Sequence, residues 1–400
     1  MRKILPFLFL FVLQTAFSQS FKVIGYLPYY RFNWLNDIEF ERLTHVNIAF
    51  ANPDMQGNLS VEGVSITAAV SKAHQKGCKV FISLAGGYLS PDAEAAWAEN
   101  TLPAKRAAFI QKIVQYVQTQ QLDGVDIDLE WGYVEDWYSP FILELKAAHA
   151  PLQIPLTAAL PGDYRYPQIT NPAMAAFDWV NMMAYDLKGP WDANNPGQHS
   201  PYDWAADCMA YWQKHGVPSQ RLTLGVPFYG YDFGVSPVSS FTYRGIVNQD
   251  PANAYLDNVG QKWWNGIPTI QAKTELALNE VAGIMIWEIG QDAFGSNIQY
   301  SLLRAIDEVV DAASVGVSEA DPMVLQVYPN PVRERLLIRL PESAVSRLVI
   351  SDMQGRIVLD KTFTGDELAQ VNVQDFPTGL YGISVYSDAG ARSGTFIKVN

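Results

Sequence analysis

Between residues 21 and 287 the chain carries eight short apolar runs, at 22–27, 45–51, 79–84, 124–129, 156–159, 179–184, 222–227 and 282–287. Most are continuous rather than alternating, as expected of strands covered on both faces of a parallel sheet. Segments of helical period lie between many of them, such as 65–76, 104–118 and 205–214. Eight strand–helix units in one stretch of this length predict an α/β fold, a (β/α)8 TIM barrel. In such a barrel the functional residues gather at the C-terminal ends of the strands.

Two connections depart from the repeat. The stretch 230–280 is long for a strand–helix loop and holds Tyr231, Phe233, Phe241, Tyr243, Trp263 and Trp264. It is expected to form a small α+β insertion after the seventh strand that walls a cleft. The loop 188–202, with Trp191, is a second candidate lining. After a helical segment at 301–313 the chain changes character. Residues 314–323 read as a small, polar linker. Residues 324–400 then alternate strand-like runs (336–340, 346–350, 356–359, 382–386, 394–398) with Gly, Asp and Pro turns. They predict a C-terminal all-β sandwich domain. It holds no acid cluster, Cys/His set or phosphate loop.

The fourth apolar run contains an anomaly. Asp123, Asp126, Asp128 and Glu130 sit within eight residues, yet Val125, Ile127 and Leu129 between them are those of a buried strand. Side chains alternate along a strand, so Asp126, Asp128 and Glu130 share one face while Asp123 has the other parity. Two unit charges about 5–7 Å apart repel by roughly 2–3 kcal/mol at an effective dielectric near 20. That is about two pKa units, so the three are not all ionised at neutral pH. A calcium loop would place its oxygens on a turn rich in Asn and Gly, not on a Val/Ile/Leu strand. Such a like-charged face points to acid–base chemistry. Asp123 is expected to order the strand entrance instead.

A net charge of −13 argues against nucleic acid and anionic membranes as partners. Eleven Trp and twenty Tyr are a high content; core packing accounts for most of them, and such an excess often supplies stacking surfaces for sugar rings. At the N-terminus, Arg2 and Lys3 precede an apolar run at 4–13 and small residues Ala16 and Ser18. This is the pattern of a secretory signal peptide over residues 1–18, leaving a barrel domain over 19–313. No later segment reaches transmembrane length. Cys78 and Cys208 are expected to be buried free thiols, although an oxidising compartment leaves a bridge open. The five histidines show no metal-ligand spacing, and neither a metal nor a cofactor is expected.

The barrel resembles glycoside hydrolase family 18, the chitinase family. The signature Asp-x-x-Asp-x-Asp-x-Glu is met by Asp123, Asp126, Asp128 and Glu130. Further matches close successive strands: Gly25-Tyr26, Ser83 to Gly87, Met183-Ala-Tyr185-Asp186, Gly225 to Gly230 and Gly283 to Trp287. Ala85 and Gly87 stand where family members often have a glycine and an aromatic, so a sugar-stacking position is not carried over there. The tail resembles the C-terminal sorting domain of type IX secretion substrates, through Val327-Tyr-Pro-Asn-Pro331, Asp352 to Gly355 and Pro377 to Gly382. A carbohydrate-binding module is the alternative for this domain.

The resemblance implies a retaining, substrate-assisted glycosidase in which the substrate's N-acetyl group is the nucleophile. On it, Glu130 is the general acid/base, Asp128 holds the acetamide N–H, and Asp126 shares a proton with Asp128. Tyr185 binds the acetamide carbonyl. The substrate-binding set comprises Trp287 as floor, Asp186, Met183, Trp131 and Tyr229, with Tyr26 and Ser83 as partners of the inner Asp. Trp191 is a further subsite candidate; for it, Trp131 and Tyr229 the alternative is rim or core packing. The implied partner is chitin or N-acetylglucosamine oligosaccharides, cut by a monomeric chitinase exported through type IX machinery to the cell surface or medium of a Gram-negative bacterium. Two other readings stay open, an endo-β-N-acetylglucosaminidase acting on N-glycan cores and a non-catalytic chitinase-like lectin.

Overall fold

The computed structural model describes residues 21–316, 325, 327–339, 345–352, 356–364, 368–387 and 390–399. The expected signal peptide, residues 1–18, lies outside them. So does the expected linker beyond residue 316, its first residues being the end of a helix.

Eight parallel strands form the barrel: β1 (Lys22–Pro28), β2 (His45–Pro53), β3 (Lys79–Gly86), β4 (Gly124–Leu129), β5 (Leu156–Pro161), β6 (Trp179–Met183), β7 (Leu222–Pro227) and β8 (Gly283–Trp287). Neighbours follow chain order, and β1 pairs with both β2 and β8, so the sheet closes on itself. Every residue of β1, β4, β5 and β7 is buried. The aliphatic side chains pointing outward, such as Val125, Ile127 and Leu129, join the layer under the helices. Burial of this kind contributes about 25 cal/mol per Å² of apolar surface.

The strand–helix repeat is incomplete at its first step. β1 leads to β2 through the short 3₁₀ turns Tyr29–Trp34 and Phe40–Arg42 instead of an α-helix. The last helix, Leu302–Gly316, reaches this connection: Arg304 donates to Glu39 at 2.6 and 2.9 Å, and Arg42 pairs with Asp307. Its start is held by buried Asp292, which accepts from Ser301 Oγ and from the backbone N–H groups of Leu302 and Leu303.

The stretch expected as one insertion resolves into two parts. Tyr229–Asp232, Ser239–Thr242, Asn258–Val259 and Lys262–Trp263 form a four-stranded antiparallel sheet with the helix Tyr243–Gln249. The helix Ile267–Glu280, by contrast, packs on β7 and β8 as the regular crossover of the barrel. The insertion is therefore shorter than 230–280.

The C-terminal unit is all-β. One sheet contains Val327–Tyr328, Arg335–Arg339 and Leu368–Asn372; the other contains Val345–Asp352, Ile357–Thr364, Gly379–Ser387 and Gly390–Lys398. Leu336, Ile338 and Val371 of the first pack in one buried cluster with Leu348, Ile350, Ile383 and Phe396 of the second. Leu368–Asn372 had no counterpart among the expected strands, since only Ala369 and Val371 mark its buried face.

Candidate active site

The side chains of the polar network centred on Asp126 are drawn from six strands. Asp126 on β4 accepts hydrogen bonds from Tyr26 OH (2.6 Å), Ser83 Oγ (2.8 Å), Thr157 Oγ1 (2.6 Å) and Asn181 Nδ2 (3.2 Å). Thr223 Oγ1 on β7 in turn donates to Asn181 Oδ1 at 2.7 Å. The parallel register brings Ser83 and Thr157 directly alongside Asp126. Burial raises the Asp126 carboxyl above its ordinary range, while the four donors oppose that rise.

Asp128 lies one pleat nearer the strand end and is in a different state. It is 3% exposed, and its Oδ1 is buried without a hydrogen-bond partner. Burial, then the charges of Glu130 and Asp126, hold its carboxyl well above the usual carboxylate range. Both oxygens of Asp126 are already engaged by donors from neighbouring strands, whereas Asp128 has an unpartnered oxygen.

Glu130 follows β4 at the barrel mouth. Burial and the nearby Asp186 push its carboxyl up to about 7. Asp123, with the opposite parity, closes the other end of the strand by accepting from Val80 N and bonding His74, both at 2.8 Å. It takes no part in the mouth.

Three cavities adjoin at Asp186, two of them lined by Glu130. A central one of about 270 Å³ is lined by Phe50, Gly87, Asp128, Glu130, Met183, Tyr185, Asp186, Tyr229 and Trp287. Trp287 stacks on Phe50 with centroids 5.6 Å apart, presenting a flat apolar wall. A second, of about 530 Å³, continues past Glu130 between Trp131, Trp191 and Trp204. A third, of about 490 Å³, continues past Trp287 toward Tyr30, Arg31 and Tyr231. Trp131 and Trp191 are 63% and 62% exposed, so their rings face open space rather than the core.

Asp186 is shared by all three cavities. Its Oδ1 accepts from Tyr229 OH and from Tyr231 OH, the latter at 3.0 Å. Tyr185, almost fully buried, turns its hydroxyl toward Met285 Sδ at 3.8 Å, and burial raises its phenol strongly.

The structure therefore gathers Glu130, Asp128, Tyr185, Trp287, Asp186, Met183, Trp131, Trp191 and Tyr229 around one cleft. Tyr26 and Ser83, expected among the substrate-binding residues, are 1% and 0% exposed and sit beneath it, bonded to Asp126. Sequence reasoning did not single out Thr157, Asn181 and Thr223. Each is a polar residue inside an apolar run, and that signal could have found them once the register was known. Phe50 and His199 were likewise not assigned to the site, and Tyr231 only as part of the insertion expected to wall a cleft. Among the described residues no group of three or more His, Cys, Asp or Glu could hold a metal. Cys78 and Cys208 are free and buried, and no described helix is long and apolar enough to cross a membrane.

Residues 22–292 match the family described as glycosyl hydrolases family 18. The chain belongs to that family. Residues 326–399 match a secretion system C-terminal sorting domain. The fold is similar to that of the GH18 chitinase ChiB from the chitin utilization locus of Flavobacterium johnsoniae. The two are 42% identical over 74% of this chain and 96% of that one, with a TM-score of 0.72. A chitinase from Bacteroides thetaiotaomicron is 28% identical over 73% of this chain and 96% of that one, with a TM-score of 0.65. A chitinase-like effector from Moniliophthora roreri is 28% identical, the match spanning 57% of this chain and 63% of that protein. In this family 18 chain the acid face of β4 is complete.

Proposed function

We propose that this chain is a secreted chitinase that hydrolyses β-1,4 bonds between N-acetylglucosamine units with retention of configuration. The observation that carries the reading is Glu130. It is a carboxyl raised to about 7, standing between a one-ring chamber floored by Trp287 and a longer tryptophan-lined groove. The central chamber is smaller than the roughly 300–1,000 Å³ of sites for drug-sized ligands, which suits a single sugar ring.

In the proposed reaction a sugar occupies the central chamber against Trp287. Glu130 donates its proton to the glycosidic oxygen as the bond to the anomeric carbon breaks. The substrate's acetamide oxygen attacks that carbon from the opposite side, giving a cyclic oxazolinium. Tyr185 aims the acetamide oxygen, and Asp128 holds the acetamide N–H. As the cation forms Asp128 passes its proton to the neighbouring Asp126 carboxylate and takes it back when water opens the ring; in between, the Asp128 carboxylate stabilises the positive charge in a site of low dielectric. Asp126, fixed by its four donors, keeps Asp128 in place and repels its charge before substrate arrives. Glu130, now ionised, takes a proton from water, which opens the ring and restores the starting enzyme. Asp186 and Met183 position the distorted sugar, and Trp131, Trp191 and Tyr229 supply the flanking subsites.

The sorting domain and the expected leader support export through type IX machinery to the surface or medium of a Gram-negative cell. The test of the chemistry is Glu130→Gln. Hydrolysis of N-acetylglucosamine hexamer is expected to fall by at least about 10³-fold, within the range for a lost general acid. Oligosaccharide binding measured by calorimetry stays within a few-fold. Retention of most of the activity would remove Glu130 from the role.

A further inference from the structure

The cleft carries different groups on the two sides of the reacting bond. In the reaction proposed above, Glu130 protonates the oxygen joining the ring in the central chamber to the next one. The departing part of the chain therefore lies in the groove past Glu130. That groove, of about 530 Å³, is lined by the carboxyls of Glu130, Asp163 and Asp186, by three tryptophans, and by no basic side chain. The two bases nearest along the chain are engaged elsewhere. Arg165 donates to Ile169 O at 3.1 and 2.5 Å, and Lys188 to Asn195 Oδ1 at 2.9 Å. Asp163 follows the C-terminal end of β5, where a barrel builds its sites. It is exposed, and its Oδ2 accepts from Trp204 Nε1 at 3.3 Å. Among the described residues Oδ1 accepts no hydrogen bond. The cavity on the other side, past Trp287, is lined by Arg31 and, apart from the shared Asp186, by no acid.

A neutral N-acetylglucosamine unit offers such a wall a hydroxyl or amide hydrogen. A glucosamine unit offers an ammonium, with three donors, no acceptor and a positive charge. Charge-assisted hydrogen bonds to a carboxyl are the stronger kind, and indole faces attract cations as well. We propose that the groove past Glu130 selects glucosamine units, with Asp163 as the residue that recognises them. The substrate class of the site is then partly de-N-acetylated chitin, cut between an acetylated unit in the central chamber and a deacetylated one on the leaving side. This rests on the function proposed above, because that reaction decides which side leaves. The acetylated unit is required by the chemistry, and the deacetylated one is preferred by the groove. Past Trp287 the guanidinium of Arg31, held by Glu288 at 2.7 Å, offers an ammonium no such partner. The net charge of −13 draws a polycation to the chain as a whole. Only the placement of Asp163 and Arg31 distinguishes the two sides.

The test is a brief digest of randomly, partly de-N-acetylated chitin by the full chain, at a pH where the sugar amine is protonated. The products are sequenced by mass spectrometry. New reducing ends come from the central chamber, and new non-reducing ends come from the leaving side. The new reducing ends are expected to be N-acetylglucosamine. Glucosamine is expected at the new non-reducing ends about two- to fivefold above its share in the polymer, the scale of an exposed ion pair. Asp163→Asn should return those ends to near the polymer's share, whereas Asp163→Glu should keep most of the enrichment. Added salt should weaken it in the wild type. The enrichment is a ratio within one digest, so a lower overall rate or less folded protein does not move it. Wild-type ends at the polymer's share, or an enrichment that Asp163→Asn leaves intact, overturn the proposal. Glucosamine at the new reducing ends would instead remove the parent reading, which requires an acetamide in the central chamber.

Discussion

Glu130 and Asp186 show how one carboxylate sets another. Burial lifts Glu130 first, and the neighbouring Asp186 carboxyl lifts it further, to about 7. In the proposed reaction Glu130 works as an acid only while protonated, so activity is expected below that value and is lost as pH rises through it. Asp186→Asn removes one cause of the rise. The basic limb of kcat/KM is expected to move to lower pH, and a pH profile of the variant on a soluble oligomer checks it. An unmoved limb would show that Asp186 does not act on Glu130. Backbone strain at the same rim is also testable. Ala85 holds φ of +84° at the end of β3, a conformation that costs an L-residue about 1–2 kcal/mol. It stands where family members often carry glycine. Ala85→Gly is expected to stabilise the fold by about 0.5–1 kcal/mol, since glycine's added chain entropy offsets part of the relief. Urea unfolding would register it as a higher midpoint.

At the scale of elements, the last helix completes what the first connection omits. Asp292 satisfies Ser301 Oγ and the N–H groups of Leu302, Leu303 and Ala293, all buried. Asp292→Ala orphans these donors and is expected to cost about 2–3 kcal/mol, seen as a lower midpoint in the same urea experiment. No loss would mean the helix start is held by packing alone. The barrel strands were legible because continuous apolar runs, punctuated by helical periods, have few other solutions. The acid face of β4 was legible because its alternation is local. The network around Asp126 was not, since Thr157, Asn181 and Thr223 become partners only through a register between strands that no single run displays. The same holds for His199 and Tyr231, which meet Asp186 from a loop and an inserted sheet far along the chain. Ile267–Glu280 was misjudged for another reason: the whole stretch between β7 and β8 was assigned to the insertion on its length, although this helix carries no aromatic.

For the whole molecule, two units divide the work by chemistry. The barrel, with its cleft and its acid face, belongs to residues before 311, and the all-β unit follows. In the proposed function the second addresses the first to the outside of the cell and takes no part in bond cleavage. In the same proposal the first acts on its substrate by a route in which the acetamido group is a reactant, Asp128 being assigned to hold that group rather than to attack carbon. This can be measured directly by following N-acetylglucosamine hexamer and its fully de-N-acetylated counterpart by mass spectrometry with the same enzyme. The expected result is steady cleavage of the acetylated hexamer and none of the glucosamine hexamer. Cleavage of both at comparable rates would show that a protein carboxylate attacks the sugar, and would contradict the account.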